Sequence, residues 1–227
     1  AINAERTQNQ NIQELKDRKL QFFTNISHEI RTPLSMIISP LDEVLEMPNL
    51  SNEARKKIHY AGENSRLLLK LVNQLLDLRK LDNSKMELFL SKVNINELIQ
   101  HTVELHQLKA EQKKIELIVE PIDTEESFYV APDKIEKIIN NLLSNAIKFS
   151  PENRLVFIRI SKRISAELLT IEVIDSGIGM ENSQIPLIFE RFYQGKTALN
   201  KGGTGIGLAL SKELAEIHKG ELCVESE

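Results

Sequence analysis

The chain has 227 residues, 41% hydrophobic and 27% charged, which is the composition of an ordinary globular protein able to bury one large core or two modest ones. With 29 Lys and Arg against 33 Asp and Glu, its net charge of −4 offers no basic field to recruit nucleic acid or acidic lipid. The single cysteine, Cys223, excludes an intrachain disulfide and suits a reducing, cytoplasmic compartment, and its spacing from His59, His101, His106 and His218 matches no zinc site.

The opening "AINAERTQNQ" is no secretory signal, and apolar runs such as "LLLKLV" are too short to span a bilayer, so no membrane contact is expected of these residues. The missing initiator methionine reads as a fragment of something longer, such as a protein anchored elsewhere. From about Glu5 to Glu46 the pattern predicts one long helix with an apolar stripe through Phe22, Ile26, Ile30, Leu34, Ile37, Leu41 and Leu45. His28 projects roughly 160° from the centre of that stripe, towards water, with Thr32 one turn away. Pro33 removes the N–H that would bond Glu29, so a bend is expected just below the histidine. After a turn at "MPNLSNEARK", with Ser51 as N-cap, a second helix is predicted from about Asn52 to Lys85. Its leucine-rich stripe is wider than one partner helix can cover, which predicts a homodimer closing a four-helix bundle.

Beyond "LDNSKMELFL" the pattern mixes strands and helices. A short strand is expected near Met86–Leu90, a helix over Ile95–Gln112, a strand at "KIELIVE", a helix over Pro132–Phe149, and a hairpin formed by "RLVFIRISKR" and "ELLTIEVIDSG". The expected fold class is therefore α+β: an antiparallel helical hairpin forming a dimeric bundle, then an α/β sandwich beginning near Ser91.

Three stretches of the second half carry candidate chemistry. In "NLLSNAIKFS", Asn141, Asn145 and Lys148 lie on one helix face, opposite the apolar one; an amide oxygen can ligate a hard cation such as Mg²⁺ and a lysine can meet its phosphates, although a solvated polar face would look the same. In "TIEVIDSGIGM", Asp175 shares the inward face of Ile171 and Val173, so it is expected to be buried at a strand end in need of a donor; the amine of adenine would serve, with Gly177 and Gly179 admitting a flat ring. In "KGGTGIGLALSKEL", Gly203, Gly205 and Gly207 open a helix, where N–H groups and the helix dipole can cradle phosphate. No G-x-x-x-x-G-K-[ST] occurs.

Taken in order, "HEIRTP", "NLLSNAIKFS", "DSGIG", "FERFY" and "GGTGIGL" resemble the H, N, first glycine, F and second glycine boxes of sensor histidine kinases, over nearly the whole chain. The second half separately resembles the ATP-binding fold of gyrase, Hsp90 and MutL. The resemblance implies an N-terminal signalling helix or linker over 1–20, a dimerisation and histidine-phosphotransfer domain over 21–90, and a catalytic ATP-binding domain over 91–227. The sequence stops at "GELCVESE", before the last strands that the resemblance leads one to expect, which implies either a truncated domain or strands that lie beyond this end. The resemblance also implies ATP and Mg²⁺ as cofactors, His28 as phosphoacceptor, Glu29 as its proton acceptor, Asn145 as metal ligand, Asn141 and Lys148 on the phosphates, Asp175 on the adenine amine, and Gly177, Gly179, Gly203, Gly205 and Gly207 shaping the pocket. The resemblance makes residues 180–202 a lid, with Phe189 and Phe192 expected to dock it; plain core packing is the other reading of both. At the lid position where the family is often basic stands Gln194, which leaves Lys196 and Lys201 as candidate cations.

The implied function is ATP-dependent autophosphorylation of His28 and transfer to an aspartate of a receiver domain. Thr32 matches the position that in the family can orient water for receiver dephosphorylation; a plain helix-surface threonine is the other reading. The alternative of a gyrase or Hsp90-type ATPase clamp shares the nucleotide boxes but has no use for the histidine helix.

Overall fold

The computed structural model describes residues 30–82, 86–123, 127–163, 168–195 and 203–226. The chain divides after Met86 into two compact units.

The first unit is a helical hairpin. Helix α1 is described over residues 30–45 and runs without interruption through Pro33 and Pro40. Both prolines are exposed, and the carbonyl that the missing N–H of Pro40 would have bonded belongs to the exposed Met36, where water can take it. Helix α2, Asn52–Asp82, begins as expected at Ser51, whose Oγ accepts the Ala54 N–H at 3.2 Å. Arg55 donates to the carbonyls of Leu45 and Met47, satisfying acceptors left over at the end of α1. Arg66 pairs with Asp42, and Arg31 reaches Asn73 Oδ1 at 2.6 Å, so polar contacts fasten the hairpin along its length. Leu34, Val72, Leu76 and Leu78 are buried. Met36, Ile37, Leu67, Leu68 and Leu75 stay exposed, Met36 by 72%, so one chain leaves much of its apolar surface uncovered.

The second unit layers helices on a sheet. Strands β1 (Ser91–Val93) and β3 (Phe128–Val130) form a small antiparallel pair. The expected strand at Met86–Leu90 is irregular instead, and pairing starts at Ser91 because its partner, β3, reaches only that far. The predicted helix over Ile95–Gln112 is two helices, α3 (Ile95–Glu104) and α4 (Gln107–Gln112). The break at Leu105–His106 turns His106 inward, where its Nε2 meets Asn140 Oδ1 at 2.8 Å. Strand β2 (Glu116–Glu120) runs parallel to β4 (Leu155–Arg163), which pairs antiparallel with β5 (Leu168–Asp175), the expected hairpin.

Helix α5 (Pro132–Phe149) is framed by proline in its first turn and by Ser150 at its end. It packs Ile139, Leu143 and Ala146 against Val156 and Ile158 of β4 and against Ile99 of α3, all essentially inaccessible to water. Helix α6 (Gly207–Ile217) lies over the other side of α5. The Ala131 N–H at the head of α5 donates to Nε2 of His218 at the end of α6, while His218 Nδ1 donates to Leu214 O. Thus α5 is gripped between sheet and helix. Among the described residues no helix is long and apolar enough to cross a membrane.

Candidate functional site

The site is built around the polar side of α5. Asn141 is only 8% exposed, because α6 packs over it. Its Nδ2 donates to Gly207 O at 3.2 Å and Ser211 Oγ at 3.1 Å. An amide NH₂ has two N–H groups, so both are engaged with α6. Asn145, one turn on and half-buried, has no hydrogen-bond partner among the described residues. Lys148 follows, its Nζ 4.6 Å from the Phe149 ring centroid.

The glycine turn comes to meet that lysine. A methyl group placed on Gly203 (φ +150) would stand 2.9 Å from Lys148 Nζ, so the absent side chain leaves room for the ammonium. Gly205 (φ +66) passes so close to the chain at Phe192 that an added Cβ would lie 2.6 Å from its carbonyl carbon, a clash with backbone that no rotamer relieves. At Gly207 an added Cβ would rest 3.4 Å from Asn141 Oδ1. Helix α6 starts without a side-chain cap of its own; Thr204 Oγ1 accepts the Ile206 N–H at 3.2 Å, leaving first-turn N–H groups of α6 for another acceptor.

Asp175 departs from expectation. It closes β5 opposite Val156, and it is exposed rather than buried. The β4–β5 pairing ends at that rung, and Oδ1 bends back to accept the Gly177 N–H at 2.8 Å. A Cβ on Gly177 would sit 2.5 Å from that oxygen and 3.5 Å from the backbone of Phe149, which ties the aspartate turn to the last residue of α5. Gly179 takes φ +65, as its position in the turn requires.

Of the lid, residues 180–195 and 203 onward are described, and the two ends are stitched together. Phe192 N–H donates to Gly205 O at 2.8 Å, and Gln194 Nε2 donates to Gly203 O at 3.0 Å. Arg191 pairs with Glu213 of α6, and Phe189, in a 3₁₀ turn over Leu187–Phe189, lies under Lys212 Nζ at 5.1 Å. Phe192 is 60% exposed and holds φ +68, a conformation costly for a bulky residue. Lys196 and Lys201 lie outside the described residues.

In the helical unit Thr32 is exposed on α1, while His28 and Glu29 lie outside the described residues. The residue that sequence reasoning missed is Ser211, which could have been found as the one polar residue on the apolar face of "GLALSKEL".

Two family models match the chain. Residues 18–84 match the His Kinase A (phospho-acceptor) domain, and residues 130–227 match the histidine kinase-, DNA gyrase B-, and HSP90-like ATPase. Over 220 residues the chain is 34% identical to the hybrid signal transduction histidine kinase D of Dictyostelium discoideum, covering 95% of this chain and 14% of that protein. The chain belongs to the sensor histidine kinases. The phospho-acceptor match is what separates this kinase chain from gyrase and Hsp90, which share only the second match. It is also 32% identical over 219 residues to the sensor protein kinase WalK of Staphylococcus haemolyticus, covering 94% of this chain and 35% of that one. Among solved structures, full-length ShkA in complex with AMPPNP superposes with a TM-score of 0.69 at 29% identity, over 86% of this chain and 40% of ShkA. The Acinetobacter baumannii histidine kinase AdeS superposes at 0.58 with 19% identity, over 83% of this chain and 86% of that one, a likeness of fold alone. This kinase chain therefore spans between 14% and 35% of the length of these curated relatives.

Proposed function

We propose that the chain is the catalytic core of a two-component sensor: it binds ATP at the α5 site, phosphorylates its own His28 and passes the phosphoryl group to an aspartate of a receiver domain. The observation that carries the nucleotide half is the convergence, within one unit, of Lys148 on Gly203, of the Asp175 turn on Phe149, and of the stitched lid on Gly205. The match of residues 18–84 to a phospho-acceptor domain, with His28 inside it, supports the other half.

In this reading Asp175 accepts the adenine amine through the carboxylate oxygen that the Gly177 N–H leaves open. Lys148 and the first-turn N–H groups of α6 meet the phosphates. Asn145 would hold Mg²⁺ through its amide oxygen, and an ion there neutralises phosphate charge. No cluster of three or more His, Cys, Asp or Glu able to hold a metal occurs among the described residues, so phosphate oxygens and water would complete the shell. Asn141 acts behind this front, keeping α6 in place.

A neutral imidazole nitrogen of His28 attacks the γ-phosphorus; the P–N bond forms as the P–O bond to ADP breaks, and Glu29 takes the proton of the other ring nitrogen. The protein's contribution is positioning and charge neutralisation. The uncovered leucines of α2 support a homodimer in which two hairpins close a four-helix bundle. Thr32 orients water for receiver dephosphorylation.

Incubation with ATP labelled at either the α or the γ phosphate tests the chemistry. Only the γ label should become bound to protein, in a form lost in acid and kept in alkali. Label from the α position, or label stable to acid, would exclude a phosphohistidine.

A further inference from the structure

The end of a helix leaves its last carbonyls without intrahelical partners and gathers negative partial charge there. At the end of α5 the Ser150 N–H takes Ala146 O at 3.0 Å. The carbonyls that follow are met by one side chain from far earlier in the sequence. Lys113 donates from Nζ to Ile147 O at 2.7 Å, Lys148 O at 2.9 Å and Ser150 O at 3.0 Å. An ammonium has three N–H groups, and here each has a carbonyl at the end of α5, with the positive charge at the helix C-terminus where the dipole favours it.

The backbone around Lys113 is shaped to make this contact. Helix α4 ends with Ile115 N–H on Ala110 O at 2.9 Å and Lys114 N–H on Glu111 O at 2.8 Å, with Lys114 at φ +56. This is a Schellman closure, which ordinarily takes glycine at the left-handed position. The strained Lys114 and the buried Ile115 fix the path of the turn and hold Lys113 against α5.

The turn of α5 that Lys113 grips also faces the site. It carries Lys148 to Gly203, and its last residue, Phe149, backs the Asp175–Gly177 turn. We propose that Lys113 is a positioning residue for phosphate binding: by fixing the carbonyls of Ile147, Lys148 and Ser150 at the end of α5, it sets where the Lys148 ammonium stands. This rests on the reading of α5 as the nucleotide site.

The test uses the full 227-residue chain, with ATP and adenosine titrated separately by calorimetry, at a temperature where circular dichroism shows an intact fold. Lys113→Met keeps the aliphatic stem and removes the donors. It should weaken ATP binding by about tenfold, the order of one charge-assisted hydrogen bond, and leave adenosine affinity unchanged, since adenosine has no phosphate for Lys148. A lysine that merely stabilised the fold would lower the melting temperature and leave the ATP affinity of the folded chain intact; that result overturns the inference. Lys113→Gln, which removes the charge and leaves a shorter amide with two N–H donors, serves if methionine unfolds the domain. Weaker ATP binding with unchanged adenosine binding supports the inference, and unchanged ATP binding in the folded Gln variant overturns it. Failure of the unaltered chain to bind ATP would overturn the nucleotide reading, and this inference with it.

Discussion

Replacing Asn141 by alanine separates two roles for a residue that the sequence presents as a phosphate ligand and the structure presents as a clasp. The substitution removes the hydrogen bonds to Gly207 O and to Ser211 Oγ. Ser211 is fully buried, so water is not at hand to replace the lost donor. A buried polar group left unpaired costs about 1–3 kcal/mol, and two are exposed to that cost. Ser211 can recover part of it by turning its hydroxyl towards the carbonyl one turn back, which is Gly207 O itself. The low end, about 2 kcal/mol, is therefore the better figure, a factor of about 30 in the equilibrium for local opening. Hydrogen exchange of the α6 amides reads that opening directly, and ATP titration of the same variant reads the consequence. Exchange should quicken by about 30-fold in residues 210–217, with little change in the hairpin of α1 and α2. If α6 kept its protection while ATP affinity collapsed, Asn141 would be acting on the nucleotide itself, and the clasp would be incidental.

Asn145→Ala should abolish magnesium-dependent ATP binding without altering the melting temperature, since the side chain has no protein partner among the described residues to lose; calorimetry with and without Mg²⁺ checks it, and equal magnesium dependence in the variant would remove the metal role. Gly205→Ala forces a Cβ to 2.6 Å from Phe192 backbone, so the Phe192–Gly205 hydrogen bond should break and labelling slow by at least tenfold, measured as a time course beside the wild-type chain. Thr32→Ala should leave autophosphorylation nearly intact and sharply slow the decay of a phosphorylated receiver, because in the proposed mechanism its hydroxyl positions water for the receiver and has no part in the attack on ATP. Alanine is the better helix former by a few tenths of a kcal/mol, so the helix itself is not at risk. An equal fall in labelling would place Thr32 in the kinase step instead.

What could be read from sequence follows from how local each determinant is. Helix α5 was legible end to end because its apolar spacing and Pro132 are both carried within 18 residues; the β4–β5 hairpin and the Ser51 cap were legible for the same reason. Strand β3 was not, since three residues hold too little alternation and its stability comes from pairing with β1, more than 30 positions away. The break between α3 and α4 depends on His106 finding Asn140, again a distant partner. At the site, the glycines were legible as types but not as reasons: Gly205 is required by Phe192, Gly177 by the carboxylate of Asp175. Parity along β5 put Asp175 on the inward face, but parity cannot show that the β4–β5 pairing stops at that rung, and so exposure was missed. Lys113 was beyond reach, because "EQKKIE" reads as a solvated turn until α5 is placed beside it.

The most direct test of the account is to locate the phosphoryl group. The unaltered chain and a His28→Gln variant, each incubated with γ-labelled ATP and Mg²⁺, are compared for incorporated label, and the labelled chain is digested in alkali to map the modified peptide. The account predicts label on the peptide containing His28, none in the variant, and unchanged ATP affinity in that variant, because the nucleotide site belongs to the other unit. Label persisting in His28→Gln, or mapping to any other histidine, would contradict it.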